Sequence, residues 1–114
     1  MKKLLMMFFI AAAVASCTVQ KPLYSWYNYN ATSYAYLKNA DEASTQQLVE
    51  TYQKIIEKQK GERGVVPPGV YADYGFLLLK LNKTTEGKSM LAKEMESYPE
   101  SKVFIERILK MLEQ

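Results

Sequence analysis

The sequence predicts an all-α body of antiparallel helical hairpins closed by a C-terminal capping helix. Three observations carry that prediction. Apolar side chains recur at helical spacing in the long segments of the chain, as in Leu48, Tyr52 and Ile55. The connections between those segments are short, which makes neighbouring helices run antiparallel. No run of β-branched and aromatic residues with strict alternation competes as a strand.

Met1 to Lys3 give a positive start, and Leu4 to Val14 form an almost unbroken apolar run. The run is shorter than the ~20 apolar residues a membrane span needs. Polar Thr18, Gln20 and Lys21 follow it, so it reads as an export leader over residues 1–16. Residues 17–25 are a linker and 26–114 the helical domain. The aromatic stretch with Trp26, Tyr27, Tyr29, Tyr34 and Tyr36 predicts a helix from near Trp26 to Lys38. Ser44 and Gln47 have the spacing of a capping box for the next helix. Its buried stripe runs through Leu48, Tyr52, Ile55, Ile56 and Gln59, and Gly61 is its stop.

The loop "GERGVVPPG" then interrupts the helices. Pro68 suits the first turn of a helix to Leu81 that buries Tyr71, Tyr74, Leu78 and Leu81. Gly75 in its middle costs ~1 kcal/mol against alanine, which points to a close helix crossing. Asn82-Lys83 make a turn, and Thr84 or Thr85 caps a helix to Ser97 with Met90, Leu91 and Met95 inside. After Pro99 a last helix runs from Ser101 to Leu112, with Val103, Phe104, Ile105, Ile108, Leu109 and Leu112 as its apolar set.

Composition narrows the functions. The formal charge is +3, but without Lys2 and Lys3 the balance is 13 basic against 12 acidic residues, so the body has no nucleic-acid footprint. There is no histidine and a single cysteine, which leaves no usual zinc set, no His-assisted nucleophile and no internal disulfide. The paired acids Glu94/Glu96 and Asp41/Glu42 read as surface neighbours rather than an enclosed acid–base pair. The expectation is a protein that is not an enzyme and binds no metal.

Val14-Ala15-Ser16-Cys17 resembles a bacterial lipobox. The resemblance implies cleavage between Ser16 and Cys17 and a diacylglycerol thioether on Cys17, which is then the membrane anchor and the only covalent cofactor. Thr18 after the cysteine favours, by the same analogy, the periplasmic face of the outer membrane. The interval Tyr71–Pro99 resembles a tetratricopeptide repeat. Tyr71, Tyr74, Gly75, Leu78, Gly87, Leu91 and Pro99 stand on its signature positions, and Glu94 stands where alanine is usual.

Tyr24-x-Trp26-x-x-Tyr29, Tyr34, Val66-Pro67-Pro68-Gly69, Ala72-x-x-Gly75, Tyr98-Pro99-Glu100-Ser101 and Phe104 carry a wider likeness. They resemble a family of small, uncharacterised, TPR-like bacterial lipoproteins in which a glycine often stands at the position of Tyr27. That likeness implies accessory partners of curli-secretion-type outer-membrane lipoproteins. The expected function is a protein–protein adaptor in envelope assembly or secretion, with Trp26, Tyr27, Tyr29 and Tyr34 as partner-binding residues and the Pro67-Pro68 loop at a groove rim. The alternative, from the same aromatic segment, is an envelope glycan-binding module; packing of those rings inside the body is the plainer use of them.

Overall fold

Where the spacing predicts helices, helices form, and the differences lie at their ends. The computed structural model describes residues 1–15 and 20–114, so the expected cleavage and lipidation site, Ser16 and Cys17, lies outside the described residues. Those residues contain helices and no strand. The helices are α1 (Lys2–Ala15), α2 (Tyr29–Asn39), α3 (Glu42–Glu57), α4 (Val70–Lys80), α5 (Thr84–Ser97) and α6 (Lys102–Leu112), with one 3-10 turn at Pro99–Ser101. Met1 to Phe9 are exposed along α1. No described helix is long and apolar enough to cross a membrane.

α2 pairs with α3 and α4 with α5, while α3 meets α4 and α6 packs on α5. The α4–α5 crossing rests on two glycines. A Cβ on Gly75 would fall 2.9 Å from the Gly87 carbonyl oxygen, and one on Gly87 would fall 2.8 Å from that of Gly75. Only hydrogen at both positions lets the two backbones touch.

Several helix starts differ from expectation. α2 begins at Tyr29 rather than Trp26, because Tyr27 has φ 51° and breaks the helical path. A non-glycine residue there costs ~1–2 kcal/mol. The Tyr27 hydroxyl donates to the Lys58 carbonyl and Lys54 Nζ sits 4.4 Å over the ring, which offsets that strain. The capping box of α3 is Asp41 with Ser44, not Ser44 with Gln47. Ser44 N–H donates to Asp41 Oδ1 at 2.8 Å and Asp41 N–H donates back to Ser44 Oγ at 3.2 Å. α4 starts at Val70, after Gly69 at φ 91°, and no side-chain oxygen of Thr84 or Thr85 caps α5. α3 ends at Glu57, ahead of Gly61, whose smallness serves the N-terminal segment described below.

The main core joins Leu48, Val49, Tyr52 and Ile55 of α3 to Val70, Tyr74, Leu77 and Leu78 of α4, with Val66 from the loop. A second layer joins Ala72, Leu91 and Ile105. Leu91 and Ile105 are wholly buried, each side chain contributing ~1.5–3 kcal/mol by leaving water. Other expected core positions are exposed: Leu81 at 39%, Val103 at 68% and Phe104 at 61%. The apolar arc of α6 is wider than the surface it covers, so this capping helix turns an apolar face outward.

Candidate functional site

α2, α4 and α6 share an open side of the bundle. Tyr29, Ser33, Tyr36 and Leu37 of α2 face Asp73, Phe76, Leu77 and Lys80 of α4 across a hollow of about 210 Å³ floored by Leu48 and Tyr52. A second hollow of about 520 Å³ lies among Phe76, Leu79, Lys80, Ile108 and Leu112. Phe76 and Lys80 line both, so the two form one trough across three helices. Leu37 is 79% exposed and Leu112 is 59% exposed at its margins. Asp73 and Lys80 set one carboxylate and one ammonium on α4, and desolvation raises the Asp73 carboxyl above its ordinary range. Chemically the trough can take apolar side chains of a partner and orient them by two opposite charges.

The expected partner-binding residues do not converge. Tyr29 lines the trough and packs on the core, with its ring centroid 5.8 Å from that of Tyr52, which in turn stacks on Tyr74 at 5.5 Å. Burial pushes the Tyr52 hydroxyl far above its ordinary range. Trp26 and Tyr27 lie ahead of α2, with Trp26 wedged between Tyr24 at 6.4 Å and Tyr29 at 5.4 Å. Tyr34 is exposed and lines neither hollow. Pro67 and Pro68 also line neither hollow, so the loop expected at a groove rim lies elsewhere.

The segment carrying Trp26 is pinned to the end of α3. The Gln59 amide oxygen accepts from Ser25 N–H at 2.5 Å and Gly61 N–H at 3.0 Å, while its nitrogen donates to the carbonyls of Ser25 and Ile55, both at 3.2 Å. Glu62 and Arg63 N–H donate to the carbonyls of Pro22 and Leu23. Gly61 lies directly beneath this strap. On its other side α2 makes a polar hollow of about 410 Å³ with α3, lined by Asn28, Ala31, Thr32, Gln47, Glu50, Thr51 and Lys54.

Glu94, expected at the surface, is 3% exposed. Its Oε1 accepts from Gly69 N–H at 2.7 Å, so a carboxylate of α5 caps the start of α4, and its buried Oε2 has no partner among the described residues. The Tyr98 hydroxyl fixes the same loop by donating to the Val66 carbonyl at 2.6 Å. These contacts give Glu94 a buried structural role.

Phe76, Leu37, Ile108 and Leu112 were not among the expected site residues. The available signal was α4 itself, "VYADYGFLLLK", which is apolar around most of its circumference and so needs a second apolar surface beyond the core.

Fold and surface together define an all-α protein of packed helical hairpins with an open apolar trough. Residues 23–108 match the family described as Domain of unknown function (DUF4810), and the chain belongs to that family. No curated protein and no solved structure matches it.

Proposed function

We propose that the protein is a lipid-anchored adaptor of the bacterial envelope, tethered through Cys17 and facing the periplasm from the outer membrane. In this reading the α2–α3 and α4–α5 hairpins are tetratricopeptide-like, and the trough on the first helix of each pair holds a segment of another envelope protein. A curli-secretion-type lipoprotein is the partner that the family likeness suggests. The leader and Val14-Ala15-Ser16-Cys17 support the anchor. The adaptor reading is carried by one observation, the two largely apolar hollows that adjoin at Phe76. It assigns no reaction and no cofactor beyond the covalent lipid.

A photocrosslinking residue at Phe76, in intact cells of the native host, tests it. One defined protein adduct is expected, reduced by Leu37→Glu and Leu112→Glu, which change exposed positions. Absence of any adduct, with normal folding and abundance, refutes the adaptor. For the anchor, Cys17→Ser is expected to lose acylation and outer-membrane fractionation.

The polar hollow beside Tyr27 favours a second reading, an envelope glycan module. Asn28, Gln47 and Glu50 offer it amide and carboxylate groups. Saturable binding of peptidoglycan fragments, lost in Glu50→Gln, would favour that reading over the first.

A further inference from the structure

The helices place three segments at one end of the body: Pro22–Asn28 ahead of α2, Lys58–Gly69 between α3 and α4, and Tyr98–Ser101 ahead of α6. They are bonded to one another. Glu62 and Arg63 N–H donate to Pro22 and Leu23 carbonyls at 3.0 and 3.2 Å, Lys60 N–H to Ser25 Oγ at 3.1 Å, and the Tyr98 hydroxyl to Val66. At this end Leu23, Val65 and Trp26 are 52%, 51% and 41% exposed, although the segments that carry them are held in place.

The same segments carry exposed Lys58, Lys60 and Arg63, with Lys21 just ahead of them, against Glu62 and Glu100 on the segments and Glu57 at the end of α3. The one ion pair among the described residues is Lys102–Glu106, so none of these three cations is neutralised by a direct contact. Apolar side chains, a tryptophan with a polar edge, and neighbouring cations together match the boundary of an anionic bilayer, where Trp sits at headgroup depth and Lys/Arg meet acidic lipids.

We infer that this end of the body lies against the bilayer, with Leu23, Trp26 and Val65 in the headgroup layer and Lys58, Lys60 and Arg63 on anionic lipid. The inference rests on the proposed acylation of Cys17. Leu23 follows Cys17 by six residues, so an extended linker lets it stand no more than about 20 Å from the anchor. That tether raises the effective concentration of lipid at this end, and a weak surface suffices to dock it.

Trp26 is the only tryptophan, so its emission reports this face alone. The lipidated protein, purified from its host, is reconstituted in vesicles of phosphatidylethanolamine and phosphatidylglycerol. Phospholipid brominated near the headgroup end of its chains serves as quencher. The expected result is a blue-shifted Trp26 emission that the brominated lipid quenches. Replacing phosphatidylglycerol by phosphatidylcholine weakens the quenching. The double variant Lys58→Gln/Lys60→Gln lowers the ratio of docked to undocked protein by about fivefold per cation removed. Val65→Glu abolishes the quenching, with unchanged circular dichroism.

Protein that floats with the vesicles while Trp26 emission stays solvent-like and unquenched overturns this inference and leaves the anchor standing. Protein that does not float overturns the anchor. Emission that ignores lipid but shifts on addition of peptidoglycan fragments assigns the face to glycan and overturns the bilayer contact.

Discussion

Replacing Gly61 by alanine tests how the N-terminal segment is held. A Cβ on Gly61 would lie 2.2 Å from the Leu23 carbonyl oxygen and 2.4 Å from Tyr24 Cα. Both are backbone atoms, so no rotamer change relieves the clash and the segment must lift away. With it go five hydrogen bonds: Glu62 to Pro22, Arg63 to Leu23, the two between Ser25 and Gln59, and Lys60 to Ser25. At a net contribution of ~1 kcal/mol each, reduced because several of the groups regain water, the loss is about 2–4 kcal/mol. Gly61 is not among the positive-φ residues, so alanine itself is unstrained and returns ~0.4–1 kcal/mol through the unfolded chain. The expected net effect is a destabilisation of about 1–3.5 kcal/mol, read from the urea midpoint at constant m-value. Trp26 emission should shift to the red at once, before the main transition. A variant at least as stable as the parent, with unmoved emission, refutes the packing of this strap.

Three further outcomes are expected. Ala40 ends α2 at φ 46°, so Ala40→Gly should raise stability by about 0.5–1 kcal/mol in thermal unfolding; a loss would mean that the left-handed turn is not strained. The Ser44 hydroxyl, then its N–H, holds the Asp41 carboxyl below its ordinary value of 3.8. Asp41 therefore contributes stability that is complete above that value and disappears as pH falls through the lower folded value. Urea midpoints of Asp41→Asn should lack this acid-side loss, and identical pH profiles would exclude the box. Glu94→Ala should cost about 1.5–3 kcal/mol, since it strands Gly69 N–H and removes a charged partner; a change below about 0.5 kcal/mol in the urea midpoint would show that α4 needs no cap from α5.

The helices were legible because each has an apolar stripe at its own period and a short connection after it. Leu48, Tyr52 and Ile55 needed nothing beyond local spacing, and Gly75 announced the close crossing through the cost of a glycine in a helix. What spacing could not show are contacts made across many residues. Glu94 caps α4 through Gly69 N–H, 25 residues earlier in the chain, and nothing near Glu94 signals it. Tyr27 accepts a left-handed backbone because Lys54 and Lys58 wait for its ring and hydroxyl, both distant in the chain. The trough was hidden for a different reason. Ile108 and Leu112 have the same periodicity whether a neighbour covers them or not, and periodicity reports an apolar face without saying how much of it is filled.

The trough begins at Tyr29 and Asp73 near the strapped end, but its exposed margin lies at the opposite end of the same helices. Leu37, Lys80 and Leu112 fall in the last turns of α2, α4 and α6, whereas Leu23, Trp26 and Val65 stand ahead of α2 and α4. Helices of 11 residues hold those ends roughly 16 Å apart. If the strapped end rests on lipid, the far margin of the trough at Leu37, Lys80 and Leu112 stands away from it, where a partner protein can reach it without displacing the contact. The strap itself joins the two, since Trp26 touches Tyr29, and Tyr29 lines the trough on one side and the Tyr52–Tyr74 stack on the other. Loosening Gly61 should therefore disturb both surfaces, while Leu112→Glu and Val65→Glu should each disturb one. That asymmetry follows from the aromatic chain, and it separates a body with two independent faces from one whose faces are set by a shared N-terminal strap.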